Sequence, residues 1–441
     1  MTNSTSSGGD HRRRVIVVGA GPVGLFAALL LAQAGIAVDV MEKDTLLRAL
    51  VLNDMPRGAG YQGGTLAALD RAGVLKKAVA LGHVSRGLCW RKPPVDDGAG
   101  GMRYGDIIAR VAFPPSNPKD LAGTTSALVL PQSKLAKLFL DEVQATGLVK
   151  VHFGMELTAI DDDGDSVKAT FRRTGDGTQE THEAAFLVGA DGGRSTTRKL
   201  LNIQFLGHSW PERIVAIDCV FEVPRTTERE YPVSFIVHPI HFGVVLPLDP
   251  YEPGERSLCR CAVGLDPADT RSDEEVASKE SLRDLLEKML PGPRPLDVEI
   301  IRAAPHRIHQ LCASTFRRGR CILAGDAAHL NNPFGGLGLN SGLLDAEAAA
   351  DALALILNEG KPLDLLDAYA AERQRVFQIF TNPVSTMNKL RCARDPEHAH
   401  EDWVIRLVNA DPAALKVYGK HFYSTWRTDM RALAAKLSSS A

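Results

Sequence analysis

The chain has 441 residues, enough for a large core and two connected domains. Its 51 Lys and Arg nearly balance 53 Asp and Glu, giving a net charge of −2, so no basic excess exists to meet a nucleic-acid backbone. No run approaches the roughly 20 apolar residues of a membrane helix, and the polar start MTNSTSSGGDHRRR lacks an apolar signal core; a cytoplasmic protein with no nucleic-acid partner and no membrane span is expected.

In chain order, residues 1–12 read as disordered. Val15–Val18 is a short apolar strand, followed by a helix to about Ala34 and a second strand, Ala37–Met41. A helix is expected over Thr65–Ala80. Residues 87–125 are rich in Gly and Pro and read as a loop or short hairpin interrupting the fold. A helix over Ser133–Ala145 follows, then strands near Val149–Phe153, Glu156–Asp161, Val167–Arg172 and Glu183–Ala190. From Ile214 to Leu265 three or four strands with alternating or apolar patterning suggest a mainly antiparallel sheet. A helix around Asp273–Met289 and a strand over Val298–Ala303 come next, and the chain is almost all helical after Leu343. The seven cysteines, at 89, 219, 259, 261, 312, 321 and 392, are odd in number and sit in apolar settings. They read as buried thiols, with no metal site among them.

Three segments carry chemistry. In Val15–Gly24 (VIVVGAGPVG), a strand feeds Gly19, Gly21 and Gly24 at the spacing of a dinucleotide fingerprint. Gly19 permits the tight turn, Gly21 lets backbone approach a pyrophosphate, and Gly24 allows close helix packing. Glu42, ending the second strand, stands where an acid would bind ribose hydroxyls. In Arg320–Asn340 (RCILAGDAAHLNNPFGGLGLN), a short strand ends at Gly325-Asp326, and a glycine-rich turn from Gly335 to Gly338 leads into a helix. A carboxylate at a strand end can accept from sugar hydroxyls, and bare amides at a helix start favour negative charge. In Val188–Arg198 (VGADGGRSTTR), Asp191-Gly192, Ser195 and Arg198 come just after a third strand, and Asp191 could serve as a helix cap bonded to Ser195 or to backbone.

In this order, spanning residues 15–350, GAGPVG, DGGRSTTR and LAGDAAH…PFGGLGLNSGLLDA resemble the three signatures of the class A, single-component flavoprotein aromatic hydroxylases, the para-hydroxybenzoate hydroxylase family. The resemblance implies an α/β protein with a Rossmann-like FAD-binding domain (13–85, 125–206 and 306–380). It also implies an inserted, mainly antiparallel substrate-binding sheet domain (86–124 and 207–305) and a helical C-terminal region (381–441). FAD is then the dinucleotide, contacted by Gly19, Gly21, Gly24, Glu42, Asp191 and Asp326. Pro333, Gly335, Gly336, Gly338, Leu339 and Asn340 would form the loop beside the flavin. By the same likeness Arg57 contacts the FAD phosphates, and Gln132 reaches the flavin chain or simply caps its helix.

The sequence departs from the family where a Pro-Pro pair is replaced by Asn332-Pro333, so Asn332 could face the substrate. Phe235, His238, His241 and Phe242 are candidates for the pocket wall, and His329 is read as structural. No catalytic base can be named. The implied reaction is reduction of FAD by transient NAD(P)H, formation of a flavin 4a-hydroperoxide with O₂, and hydroxylation of a phenolic or other electron-rich ring. An oxidase or reductase, an epoxidising or dearomatising enzyme, and a non-catalytic flavin binder are the alternatives. A monomer or homodimer is expected.

Overall fold

The computed structural model describes residues 11–46, 48, 55–113, 121, 126–225, 232–411 and 425–440. Most of the leader expected to be disordered lies outside them, and His11–Arg13 form a 3₁₀ turn.

A six-stranded sheet runs in the order Val149–Phe153, Ala37–Glu42, Arg14–Val18, Phe186–Gly189, Cys321–Leu323 and Arg317–Arg318. Its first five strands are parallel and the last is antiparallel. The central strands are unbroken apolar runs because helices cover both faces of such a sheet; Val15, Ile16 and Val17 have no exposed surface. The first helix, Pro22–Gln33, is apolar nearly all round, and it is buried between the helices Gln132–Ala145 and Leu337–Glu359. Phe26 stacks on Phe139 across one of these contacts, with ring centroids 5.0 Å apart. Gly19–Gly21, Glu42, Asp191 and Gly325-Asp326 all follow carboxyl ends of parallel strands, the edge where open α/β sheets place their ligands.

The second sheet has eight strands, in the order His329–Leu330, Val298–Ala313, Phe205–Glu222, Arg256–Gly264, Gly243–Pro247, Val233–Ile236, Gly87–Arg91 and Ile107–Ala112. All pairs are antiparallel except Val233–Ile236 with Gly87–Arg91. The alternation of side chains splits its faces. Cys259, Cys261 and Val263 pack with Leu282, Leu285 and Leu286 of the helix Lys279–Glu287. Ala262, Ile214 and Trp90 turn to the opposite face, toward Phe334, Ile405 and Val408. A three-stranded antiparallel sheet, Met155–Asp162, Val167–Arg173 and Gln179–Ala184, completes the larger pieces.

Several boundaries differ from the sequence reading. The helix expected over 65–80 is two, Gly64–Arg71 and Leu75–Leu81, because Gly73 takes a left-handed conformation (φ +72°) that stops the first. The helix expected near 273–289 also divides, since Ser278 caps a new one by accepting from the Ser281 amide. The strands starting at 205 and 298 run 18 and 16 residues, far longer than their apolar patterns, because each is held along its length by the other. Part of the 87–125 stretch forms a hairpin, Gly87–Arg91 with Ile107–Ala112, and it joins the large sheet rather than interrupting the fold. Residues 114–120 and 122–125 of that stretch lie outside the described residues.

Candidate active site

One cavity of about 990 Å³ lies between the carboxyl edge of the parallel sheet and the face of the eight-stranded sheet that bears Trp90 and Ala262. Glu42 and Asp326, far apart in sequence, both open onto it, with Gly19, Gly21, Arg57, Gln132, Asp191, Asn332, Pro333, Gly335, Gly336, Gly338, Leu339 and Phe235. Gly24, Asn340, His238, His241 and Phe242 are not on its wall.

At the parallel-sheet end the geometry is made by backbone. Gly19 has φ +105°, and a Cβ there would stand 2.5 Å from the Ala190 carbonyl oxygen. A Cβ on Gly24 would stand 2.0 Å from the Gly19 carbonyl oxygen, so this glycine serves packing rather than contact with a ligand. Gly21 has open space around its Cβ position and precedes a helix whose amides have no side-chain cap. Bare amides facing an open space suit a phosphate. Glu42 accepts from the amides of Ala20 (2.8 Å) and Asp44 (2.9 Å), which fixes its carboxylate at the rim. Asp326 lies deep in the molecule but is open to the cavity; desolvation by the surrounding protein raises its pKa, opposed by His329 and Arg57. Gln132 is the first helical residue and caps nothing, which removes the capping alternative.

Asp191 sits on the cavity rim, and both its oxygens are engaged. Ser195 Oγ donates to one at 2.5 Å, and the amide and hydroxyl of Thr197 donate to the other at 2.9 and 3.1 Å. Arg198, whose amide is capped by Ser195, reaches the carbonyls of Ala327 (2.8 Å) and Gly193 (2.9 Å). The middle motif therefore braces the late one.

The late loop is braced by residues that sequence reading passed over. Gly335 (φ +92°) and Gly336 (φ +66°) turn the chain into the helix Leu337–Glu359, whose first amides also lack a side-chain cap. Asn340 donates to the carbonyls of Gly60 (2.8 Å) and Gly336 (2.6 Å), and Gln62 donates to Gly335 O at 3.0 Å. The segment after Arg57 and the glycine loop are thus tied together, and Asn340 acts as a strut, not as a wall residue. Behind the loop, Asp345, with no exposed surface, accepts from Gly325 N (3.0 Å), His329 Nε2 (2.7 Å) and Arg373 Nε (2.7 Å). Burial pushes the Asp345 pKa up, but His329 and Arg373 outweigh it and hold it below the usual carboxylate range. His329, stacked on Phe377 at 4.7 Å, belongs to this structural hub.

Asn332 overturns its expected role. Its side chain is fully buried, with Nδ2 donating to Gln310 (3.1 Å) and Oδ1 accepting from the Phe334 amide (3.0 Å), so it holds the loop rather than offering a group to a ligand. Gln310 in turn donates to Ser385 Oγ (3.2 Å) and Thr386 Oγ1 (3.2 Å), joining sheet, loop and the helix Asn382–Cys392.

At the sheet end the wall is apolar. Trp90 and Phe235 stack with centroids 5.9 Å apart, beside Ile214, Val244 and Ala262. His238 instead closes a turn, Nδ1 accepting from the amides of Ile240 (3.1 Å) and His241 (2.9 Å). His241 pairs with the Gly264 carbonyl at 3.2 Å, and Phe242 is core against Phe334 at 5.3 Å. Of the four residues expected at the wall, only Phe235 lies on it; the turn between the two strands carries the other three away. Arg260 binds buried Asp218 through two bonds of 2.7 and 2.8 Å and also donates to the Arg57 carbonyl. His306 faces the same segment; burial lowers its pKa, a hydrogen bond to the Pro56 carbonyl opposes that, and Arg57 and Arg260 add to it. Two side chains of the sheet thus grip the backbone that carries Arg57.

The cavity thus joins phosphate-type amides at one end to an apolar, aromatic wall at the other, the arrangement of a dinucleotide-binding fold. The FAD binding domain family matches residues 12–382. Para-nitrophenol 4-monooxygenase of Pseudomonas sp. (strain WBC-3) is 34% identical over 410 residues, covering 92% of this chain and 94% of the relative. 6-hydroxy-3-succinoylpyridine 3-monooxygenase HspB of Pseudomonas putida (strain DSM 28022 / S16) is 30% identical over 398 residues, covering 89% and 92%. The crystal structure of p-nitrophenol 4-monooxygenase PnpA from Pseudomonas putida DLL-E4 superposes with a TM-score of 0.79 at 30% identity, over 95% of this chain and 99% of that one. The chain belongs to the FAD-binding family of class A flavoprotein aromatic monooxygenases, and is an FAD-dependent monooxygenase. Among the described residues no helix is long and apolar enough to cross a membrane.

Proposed function

We propose that this enzyme uses NAD(P)H and O₂ to hydroxylate a phenolic or other electron-rich aromatic ring. The observation that carries the reading is one continuous cavity whose lining holds both the amides and carboxylates suited to FAD and the aromatic wall of the large sheet. The names of the similar enzymes, which act on a nitrophenol and a hydroxypyridine, support it.

In this reading Gly19, Gly21 and the helix start at Pro22 hold the pyrophosphate, and Glu42 accepts from the adenosine ribose. Asp326 and Gln132 hold the ribityl chain, and Arg57 supplies positive charge to the phosphates. Pro333, Gly335, Gly336, Gly338 and Leu339 border the flavin ring. The helix Leu337–Glu359, whose first amides have no side-chain cap, would offer its positive end to the negative charge that a flavin gains on reduction. When bound, FAD takes reducing equivalents from NAD(P)H and activates O₂ as the oxygen donor. The protein's own tasks are to hold the ring at a fixed distance and to exclude water from the reacting face. Trp90, Phe235, Val244 and Ala262 do the first through shape and the second through apolarity. Residues 13–85, 125–206 and 306–380 form the FAD-binding domain and 86–124 with 207–305 the substrate domain, joined by the long strands at 205–222 and 298–313.

The test is NADPH oxidation by the yellow holoenzyme under ¹⁸O₂ with a panel of phenols. Ring-stimulated NADPH consumption with one labelled oxygen in the product is expected. Consumption that yields only labelled hydrogen peroxide for every ring would replace the reading with an oxidase.

A further inference from the structure

We propose that Arg391 sets specificity at the ring end, donating from its Nη2 to an oxygen acceptor, such as a nitro, carbonyl or carboxylate group, on the aromatic substrate. This rests on the monooxygenase reading above.

The helices Asn382–Cys392 and Trp403–Ala410 close the ring end of the cavity. Among the described residues, Arg391 is the one charged side chain they contribute to its wall. It is only 3% exposed, so its donors are largely withdrawn from bulk water. Nε donates to Asp402 at 2.8 Å and Nη1 to Asn388 at 2.8 Å. Nη2 has no hydrogen-bond partner among the described residues, it is not sealed within the protein, and the residue that carries it lines the cavity. A ligand that fills this end of the cavity would cut Nη2 off from water, and a donor buried without a partner is costly, so an acceptor on the ligand is the natural complement.

The guanidinium is also held still. Asp402 caps the next helix, accepting from the amides of Val404 (2.9 Å) and Ile405 (3.3 Å), so the carboxylate that orients Arg391 cannot swing away cheaply. Asn388 lies against the glycine loop, where a Cβ on Gly335 would come within 2.3 Å of its Nδ2. Arg391 is thereby registered to the segment that borders the flavin, and an acceptor seated on it fixes which ring carbon faces the oxygen donor. The carboxylate of Asp402 already balances the guanidinium charge, so a dipolar oxygen suffices and a full anion is not required. The Trp90 ring centroid lies 5.8 Å from the guanidinium carbon, placing the donor at the edge of the aromatic slot.

The test compares dissociation constants of 4-nitrophenol and 4-methylphenol, similar in shape, for the FAD-loaded full chain. Binding is read from the flavin spectrum without NADPH, in mildly acidic buffer that keeps both phenols neutral. Wild type is expected to prefer 4-nitrophenol by about 10- to 100-fold. Arg391→Gln alone would strand the Asp402 charge, so the paired variant Arg391→Gln/Asp402→Asn is measured with it, and FAD content and melting temperature report folding. The paired variant is expected to reduce the preference to about threefold or less, through weaker 4-nitrophenol binding. A paired variant that keeps the preference, or that weakens both phenols equally while remaining folded and yellow, overturns the proposal. A wild type that binds both phenols equally overturns it alone, whereas one that binds no aromatic ring overturns the monooxygenase reading as well.

Discussion

The two ends of the cavity are built from different materials. At the parallel-sheet end the working groups are main-chain amides, left-handed glycines and carboxylates at strand ends, each delivered within a few residues of a strand. At the sheet end they are side chains, Trp90, Phe235, Ala262 and Arg391, brought from four separate elements. A backbone-built site dictates residue type and spacing, because only glycine fits where Gly19 meets Ala190. A side-chain-built site asks for shape and a placed donor, which many sequences satisfy.

The largest test of that contrast is Asp345→Asn. It strips the carboxylate that holds Arg373, His329 and the Gly325 amide, and a buried pair broken on one side costs roughly 3–5 kcal/mol. Urea unfolding should show this loss together with loss of bound FAD; unchanged stability would mean that the hub does not support the loop. The same carboxylate has a lowered folded pKa, so its contribution is present above the ordinary carboxylate range and fades as pH falls through the lowered value. The acid decline in melting temperature should therefore flatten in the Asn variant.

Gly21→Ala separates folding from binding. Nothing lies within 4 Å of the added Cβ and φ is −72°, so the melting temperature should stay near wild type while the FAD dissociation constant rises roughly 100-fold, about 2.7 kcal/mol. Gly24→Ala, with its clash into the Gly19 carbonyl, should instead fail to fold. If Gly21→Ala binds FAD as tightly as wild type, no pyrophosphate passes over that residue. The smallest effect is expected from Phe235→Ala, which removes one ring of the stacked pair: about 10-fold weaker phenol binding with unchanged FAD affinity, read by titration of the flavin spectrum.

The sequence was most legible where backbone sets the chemistry. The apolar strands, the glycine spacing and the acids at 42 and 326 could be placed because each has a local cause. The braces were not legible, since nothing near Gln310, Asp345, Arg373 or Asn340 in the sequence marks a partner dozens or hundreds of residues away. The pocket wall was misjudged for the same reason. Phe235 and Phe242 look alike in sequence, yet a turn closed by His238 sends one to the cavity and the other to the core. The long strands were underestimated because their outer halves are held by pairing, not by apolar side chains.

A crystal structure of the FAD-loaded enzyme with 4-nitrophenol bound would test the account most directly. The adenosine ribose should lie on Glu42, the pyrophosphate over Gly21, and the flavin ring between the loop Pro333–Leu339 and the sheet face bearing Phe235 and Ala262, with the phenol between flavin and Arg391. Density that places the flavin ring away from that loop, or the phenol outside the space between the two sheets, would contradict it.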